Sequence, residues 1–271
     1  MIFKFNIIQV GGGLLKAETK RIALLDELRG FAIVAMIVHH SFLAIGDVMS
    51  SRWGYEMFDR LCIVQPIFWG IFIIISGICT RLSRSPIKRG CVVLGAGLLI
   101  TVVTAGILPK IGMYNAQIYF GILHCLGCCM IITGLLMPLI EKIKPAWGML
   151  VCVALFALTY TVSTGSLLFG LIDLPAALYK TNYLMPLGFY NTSFYSADYF
   201  AIFPWIFMFQ FGAFFGKFAK DGSFPEWAYK KHLKFFGFVG RNSLWFYLGH
   251  QVVIYGILYL IIAISYLISL I

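Results

Sequence analysis

The chain has 271 residues, of which 61% are apolar and only 12% charged, with a mean hydropathy of +0.90. That composition excludes a soluble globular domain and describes an all-α, polytopic transmembrane bundle whose spans each need about 20 apolar residues. The formal net charge of +10 is accounted for by membrane orientation and attraction to anionic lipid, so nucleic acid is not required as a partner.

The first twenty residues do not read as a secretory signal, because Lys4 and Asn6 interrupt the apolar stretch and no small-residue cleavage site follows. Residues 1–20 are expected to form a cytosolic arm. Its stretch Phe3 to Leu15 could lie on the membrane surface, although Gly11-Gly12-Gly13 opposes a continuous helix there. Residues 21–271 form one membrane domain. About seven spans are predicted, near 28–47, 62–82, 90–109, 118–140, 146–164, 199–218 and 243–270. The last is long enough to tilt or bend.

Lys and Arg test that segmentation independently. Lys4, Lys16, Lys20, Arg21 and Arg29, then Arg81, Arg84, Lys88 and Arg89, then Lys142 and Lys144, then Lys217, Lys220, Lys230, Lys231, Lys234 and Arg241 all fall on one side. Only Arg52, Arg60, Lys110 and Lys180 fall on the other, and together these are all 21 basic residues. The asymmetry predicts seven spans, a cytosolic N-terminus and an outer C-terminus, in the plasma membrane. With one membrane domain and no soluble catalytic domain, any chemistry takes place in or at the bilayer.

The first span opens with Arg21, Asp26, Glu27 and Arg29 and carries the pair His39-His40 two-thirds of the way along. Ionisable groups inside a span are costly and face a partner, a cavity or a reaction. At about 100° per residue, Asp26, Arg29, Ile33, Met36, His40 and Asp47 lie within roughly 40° of one line, with His39 about 100° to the side. Asp26 and His40 are separated by about 21 Å of helix, so this stripe joins two distinct places.

In the fourth span, Gln117, Gly121, His124 and Cys128 share a face that sets His124 in the outer third, level with Asp198 at the start of the sixth span and with His40. Two imidazoles and a carboxylate are thus expected at one outer depth. The cytosolic level holds Asp26, Arg29, Arg241 and Asn242, with His250 and Gln251 one to two turns further in. Each has a plainer reading as well. Asp26 and Arg29 would also suit a helix start, Asp198 could cap the sixth span, and His250 with Gln251 could simply bond across helices.

The seven cysteines lie mostly inside spans and read as small packing residues in a reduced setting. His124-Cys125-x-x-Cys128-Cys129 has zinc-ligand chemistry but lacks a second ligand pair at suitable spacing, so no metal is expected. Ser76-Gly77 and Gly95-Ala96-Gly97 read as close-packing sites. Residues 165–198 are rich in aromatics, including Phe169, Tyr179, Tyr183, Phe189, Tyr190, Phe194 and Tyr195, suited to interfacial anchoring before sugar stacking.

Basic residues at the inner mouth would hold phosphates, an apolar middle would take a flexible arm, and a histidine at the far end would serve as base or acyl carrier. A transfer across the membrane fits this layout.

The blocks that sharpen this are Arg21 to His40 (RIALLDELRGFAIVAMIVHH), Ile75-Ser76-Gly77 with Arg81, Ser83 and Arg89-Gly90, Phe120 to Gly127 (FGILHCLG), Ser196 to Trp205 (SADYFAIFPW) and Gly240 to Gln251 (GRNSLWFYLGHQ). In that order, they resemble the membrane acyltransferases grouped around the catalytic domain of heparan-alpha-glucosaminide N-acetyltransferase. The resemblance implies acyl transfer from a cytosolic acyl-CoA, most familiarly acetyl-CoA as co-substrate, to a sugar amine or hydroxyl of a glycan or glycolipid beyond the membrane. It implies His40 as the catalytic histidine and His39 as extra; the shared outer depth puts His124 or Asp198 in support. The short outer loops resemble a bacterial envelope member and leave the acceptor open.

The lipid bilayer, an acyl-CoA and a glycan or glycolipid are the expected partners, and self-association into a homo-oligomer is compatible with the chain. The alternatives are a transporter of a small solute or lipid, for which inverted repeats would speak and none is visible, and a structural membrane partner, which leaves the stripe unexplained.

Overall fold

A computed structural model describes residues 6–10, 13–17, 21–111 and 116–270. The described chain is mostly helical. Two short strands, β1 (Asn6–Val10) and β2 (Gly13–Ala17), pair antiparallel ahead of the first helix. This replaces the surface helix considered for Phe3 to Leu15, because a glycine run disfavours helix and Ile7, Ile8 and Val10 favour extended backbone. The rest of that arm, residues 1–5, 11–12 and 18–20, lies outside the described residues.

The helices are α1 (Ala23–Met49), α2 (Arg52–Cys62), α3 (Gln65–Arg81), α4 (Pro86–Thr101), α5 (Ile122–Ile140), α6 (Pro145–Thr159), α7 (Trp205–Lys220), α8 (Lys234–Arg241) and α9 (Ser243–Ser269). Five are long and apolar enough to cross a membrane: α1, α4 with the π and 3₁₀ turns that extend it to Lys110, α5, α6 with its extension to Thr164, and α9. The pair α2 and α3, bent by 55°, counts as a sixth if taken as one broken span. The protein is therefore a multi-pass membrane protein. Predicted spans two and six correspond to α3 and α7, which have 17 and 16 residues. At 1.5 Å per residue they measure about 24–26 Å, short of an average hydrocarbon core.

The chain divides into two compact units. Unit 1 holds residues 1–68 and 224–271, and unit 2 holds residues 69–223. In unit 1, α1 and α8 cross at backbone contact. A Cβ at Gly30 would sit 1.9 Å from the Phe236 carbonyl oxygen, and one at Gly240 would sit 1.8 Å from that of Asp26. The buried Glu27 carboxylate accepts the backbone N–H groups of His232 (2.8 Å) and Leu233 (3.0 Å), satisfying donors at the entry to α8. At the other end of α1, Ser50 turns the chain in the left-handed region (φ 50°), and Gly54 of α2 packs on Gly46.

In unit 2, α3 and α7 meet through Gly77 against Phe209 and Gly212 against Ile74, as the close-packing reading of Ser76-Gly77 expects. Of the Gly95-Ala96-Gly97 run, Gly97 packs on the His124 ring whereas Gly95 faces open space. The C-terminal ends of α3, α5 and α7 converge on an ion cluster formed by Arg81, Glu141 and Lys220. These three helices therefore share one direction, the relation that alternate spans must have. Between α6 and α7 the chain forms short 3₁₀ turns and the small hairpin β3 (Ser166–Leu167) with β4 (Ile172–Asp173).

Candidate active site

Consecutive residues on a helix point about 100° apart, and the His39-His40 pair uses that difference. His39 is buried against α2. Its Nδ1 accepts from the Gln65 amide (3.2 Å), which leaves the ring proton on Nε2, directed at Cys62 Sγ (3.5 Å). Its ring also lies 4.3 Å from that of Phe58. Both nitrogens are engaged, so His39 holds the connection between α2 and α3. His40 differs: its Nδ1 is buried and meets no hydrogen-bond partner among the described residues.

The neighbour of His40 is His250 of α9, with ring centroids 5.3 Å apart. His250 donates Nδ1–H to the Tyr247 carbonyl (2.6 Å), so its neutral ring carries the lone pair on Nε2. The Gln251 Oε1 beside it is buried without a partner among the described residues. Sequence position put His250 and Gln251 near the cytosolic charges and His40 far from them, but the structure sets His250 beside His40. The reason is that α9 begins at Ser243 and runs about two turns alongside α1 before reaching His250.

The charged group at the start of α1 also belongs to unit 1. Asp26 is buried, and its carboxylate is held by both Arg21 nitrogens (Nε 2.6 Å, Nη2 3.1 Å), so its charge is matched from outside the stripe. Arg29 is half-buried and Arg241 exposed at the same end. Asn242 joins α8 to α9 and donates from its side chain to the Phe238 carbonyl (3.0 Å). The acid at this end is thus held by Arg21.

His124 and Asp198 come together in unit 2, at the N-terminus of α5. His124 is almost wholly buried; its Nδ1 accepts from the Gly121 N–H (3.1 Å) and its Nε2 donates to Thr101 Oγ1 (3.1 Å). Asp198 Oδ2 accepts from the Ile122 N–H (3.2 Å), so this carboxylate caps α5 and not the sixth predicted span. Backbone bonds from Ala197 to Gln117 and from Phe200 to Phe120 lace the two segments together. His40 lies in unit 1 and this pair in unit 2.

A protein-family model for the heparan-alpha-glucosaminide N-acetyltransferase catalytic domain matches residues 21–252. The chain belongs to that family. No curated protein and no solved structure matches it. Membership makes it a membrane acyltransferase by family, and all five sequence blocks that carried the resemblance fall inside the match. Two of them, Arg21 to His40 and Gly240 to Gln251, form the walls of the His40 and His250 contact in this acyltransferase. Two others, Phe120 to Gly127 and Ser196 to Trp205, meet at the His124 and Asp198 cap.

All seven cysteines of this family member are free thiols. Cys125 donates to the Ala201 carbonyl (3.4 Å) and lies 3.9 Å from Cys129, which is packing chemistry, and no group of three metal-ligating side chains occurs among the described residues. The aromatic segment is partly packed on itself and partly exposed. Tyr190, Phe194 and Tyr199 cluster with centroids 5.0–5.2 Å apart, and burial, with Tyr190 nearby, pushes the Tyr179 phenol up so that it stays a donor to the Val162 carbonyl. Tyr183 and Leu171, at 90% and 82% exposure, point outward. Sequence reasoning missed two structural residues here, Glu27 as the tie to α8 and His39 as the tie to the α2–α3 bend; the only available signal was their polarity within an apolar span.

Proposed function

We propose that the protein transfers an acyl group, most simply acetyl, from a cytosolic acyl-CoA to an amine or hydroxyl of a glycan or glycolipid at the outer face of the plasma membrane. The observation that carries this reading is the open, buried Nδ1 of His40 beside His250, within the span that the family match begins on. His40 takes the proton of the attacking amine or hydroxyl, or carries the acyl group. The thioester C–S bond breaks as the new C–N or C–O bond forms, and the proton passes to the leaving thiolate. His250 adjoins the base and Gln251 offers an acceptor oxygen. Arg29 and Arg241 are assigned to the phosphates of CoA, with Asp26 and Asn242 shaping that mouth.

Calorimetry with acetyl-CoA on the purified protein tests the donor. A charged hydrogen bond is worth about 1.5–3 kcal/mol, so Arg29→Ala and Arg241→Ala should each weaken binding by roughly 10- to 150-fold. Unchanged affinity in both folded variants removes them from the site, and no binding by wild type removes the donor.

The same proposal includes seven spans with the N-terminus inside. Single cysteines at Ser51 and Ser193 in a cysteine-free background should react with an impermeant maleimide in intact cells, and one at Ser223 should not. The reverse pattern overturns the orientation.

A further inference from the structure

Arg81 ends α3 with its side chain only 5% exposed. A guanidinium presents five N–H donors and never gives up its charge, so burial obliges it to find oxygen acceptors. Among the described residues it finds none at hydrogen-bonding distance. Nη1 points at the Met137 thioether sulfur (3.6 Å), a weak acceptor, and Nε is buried with no partner among the described residues. The nearest carboxylate oxygen, Oε1 of Glu141, is 3.9 Å from Nη2. Charge-assisted bonds are normally about 2.7–2.9 Å long, so this pair is adjacent without being bonded. That carboxylate is half exposed and also shared with Lys220 (3.5 Å), which leaves the cluster with two cations and one anion.

A second buried orphan occurs on α5. Thr133, one turn before Met137 on the same face of α5, is fully buried with its hydroxyl unpartnered among the described residues. Arg81 therefore leaves buried donors and a surplus positive charge at the joined ends of α3, α5 and α7.

We infer that Arg81, with Lys220, forms an anion site for a phosphoryl group. A phosphoryl oxygen supplies the acceptors that Arg81 lacks, and its charge offsets the surplus. Glu141 holds the arginine in place when the site is empty and competes with the anion. A purely structural ion pair would need no third partner, and it would close to bonding distance. The site lies wholly in unit 2 and does not depend on the acyl-transfer reading. Its occupant comes from a soluble phosphate ester or from an anionic lipid headgroup.

The two sources separate by experiment on the full-length protein. Pyrophosphate is titrated calorimetrically into protein in phosphatidylcholine nanodiscs, and phosphatidylglycerol retention is measured by native mass spectrometry. A soluble source gives saturable pyrophosphate binding that falls about 10-fold or more in Arg81→Gln. A lipid source gives retained phosphatidylglycerol that is lost in Arg81→Gln, with pyrophosphate binding weak. Glu141→Gln removes the competitor and should strengthen whichever ligand binds, a sign that loss of a structural ion pair does not produce. If Arg81→Gln fails to fold, Arg81→Lys and Glu141→Gln carry the same opposite-signed comparison. Binding of neither ligand by wild type, or binding unaltered by both substitutions, overturns the assignment.

Discussion

Replacing His40 with alanine is expected to lower acyl transfer by about 10²- to 10⁴-fold while leaving acetyl-CoA affinity near that of the wild type, because a general base acts on the chemical step and not on donor binding. The measurement is turnover at equal folded amounts, with an acceptor supplied by a screen of amino sugars and glycolipids. His39→Ala makes the informative contrast. Its two ring nitrogens already serve Gln65 and Cys62, so the substitution should reduce thermal stability and lower the rate far less per folded molecule. Wild-type turnover in His40→Ala would make this histidine structural and end the proposed mechanism.

A comparably large effect is expected on folding when Gly240 or Gly30 becomes alanine. In each case the new methyl would lie 1.8–1.9 Å from a backbone carbonyl oxygen of the crossing helix. Backbone cannot swing aside as a side chain can, so α1 and α8 must separate, at a cost of about 3 kcal/mol, the upper end of ordinary overpacking penalties. Gly95→Ala provides the control, since nothing lies within 4 Å of its added carbon. There alanine should stabilise by up to about 1 kcal/mol through helix propensity. Thermal unfolding in detergent should show melting temperatures moving in opposite directions for the two classes. A common direction would refute the close crossing.

The membrane class, the positions of the helices and the family were legible because each is written locally. Apolar windows mark spans, the run from Arg21 to His40 is contiguous, and Gly77 follows a serine in a pattern that anticipates close approach. What escaped the sequence depends on partners far along the chain. Gly30 and Gly240 have no local signal of the contact that joins them. Asp198 sits near the start of a predicted span, yet its carboxylate serves the helix that begins 76 residues earlier at Ile122. His250 was grouped with the cytosolic charges by counting from Arg241, and only the alignment of α9 with α1 shows it beside His40. Arg81 counted merely as one of the inner basic residues, since burial of a helix-end arginine is a property of packing that a hydropathy window does not record.

The unequal lengths of the helices bear on the membrane as well as on the protein. Were they to cross the membrane, α3 and α7 would be several ångströms shorter than the hydrocarbon layer, while α1 and α9, with 27 residues each, exceed it. Lipid next to the short pair must compress and its acyl chains must splay to keep apolar surface covered, at a fraction of a kcal/mol per ångström of mismatch. Where they cross, the bilayer would then be drawn thin, bringing the two aqueous faces closer together and shortening the path that any group carried from one leaflet to the other would travel.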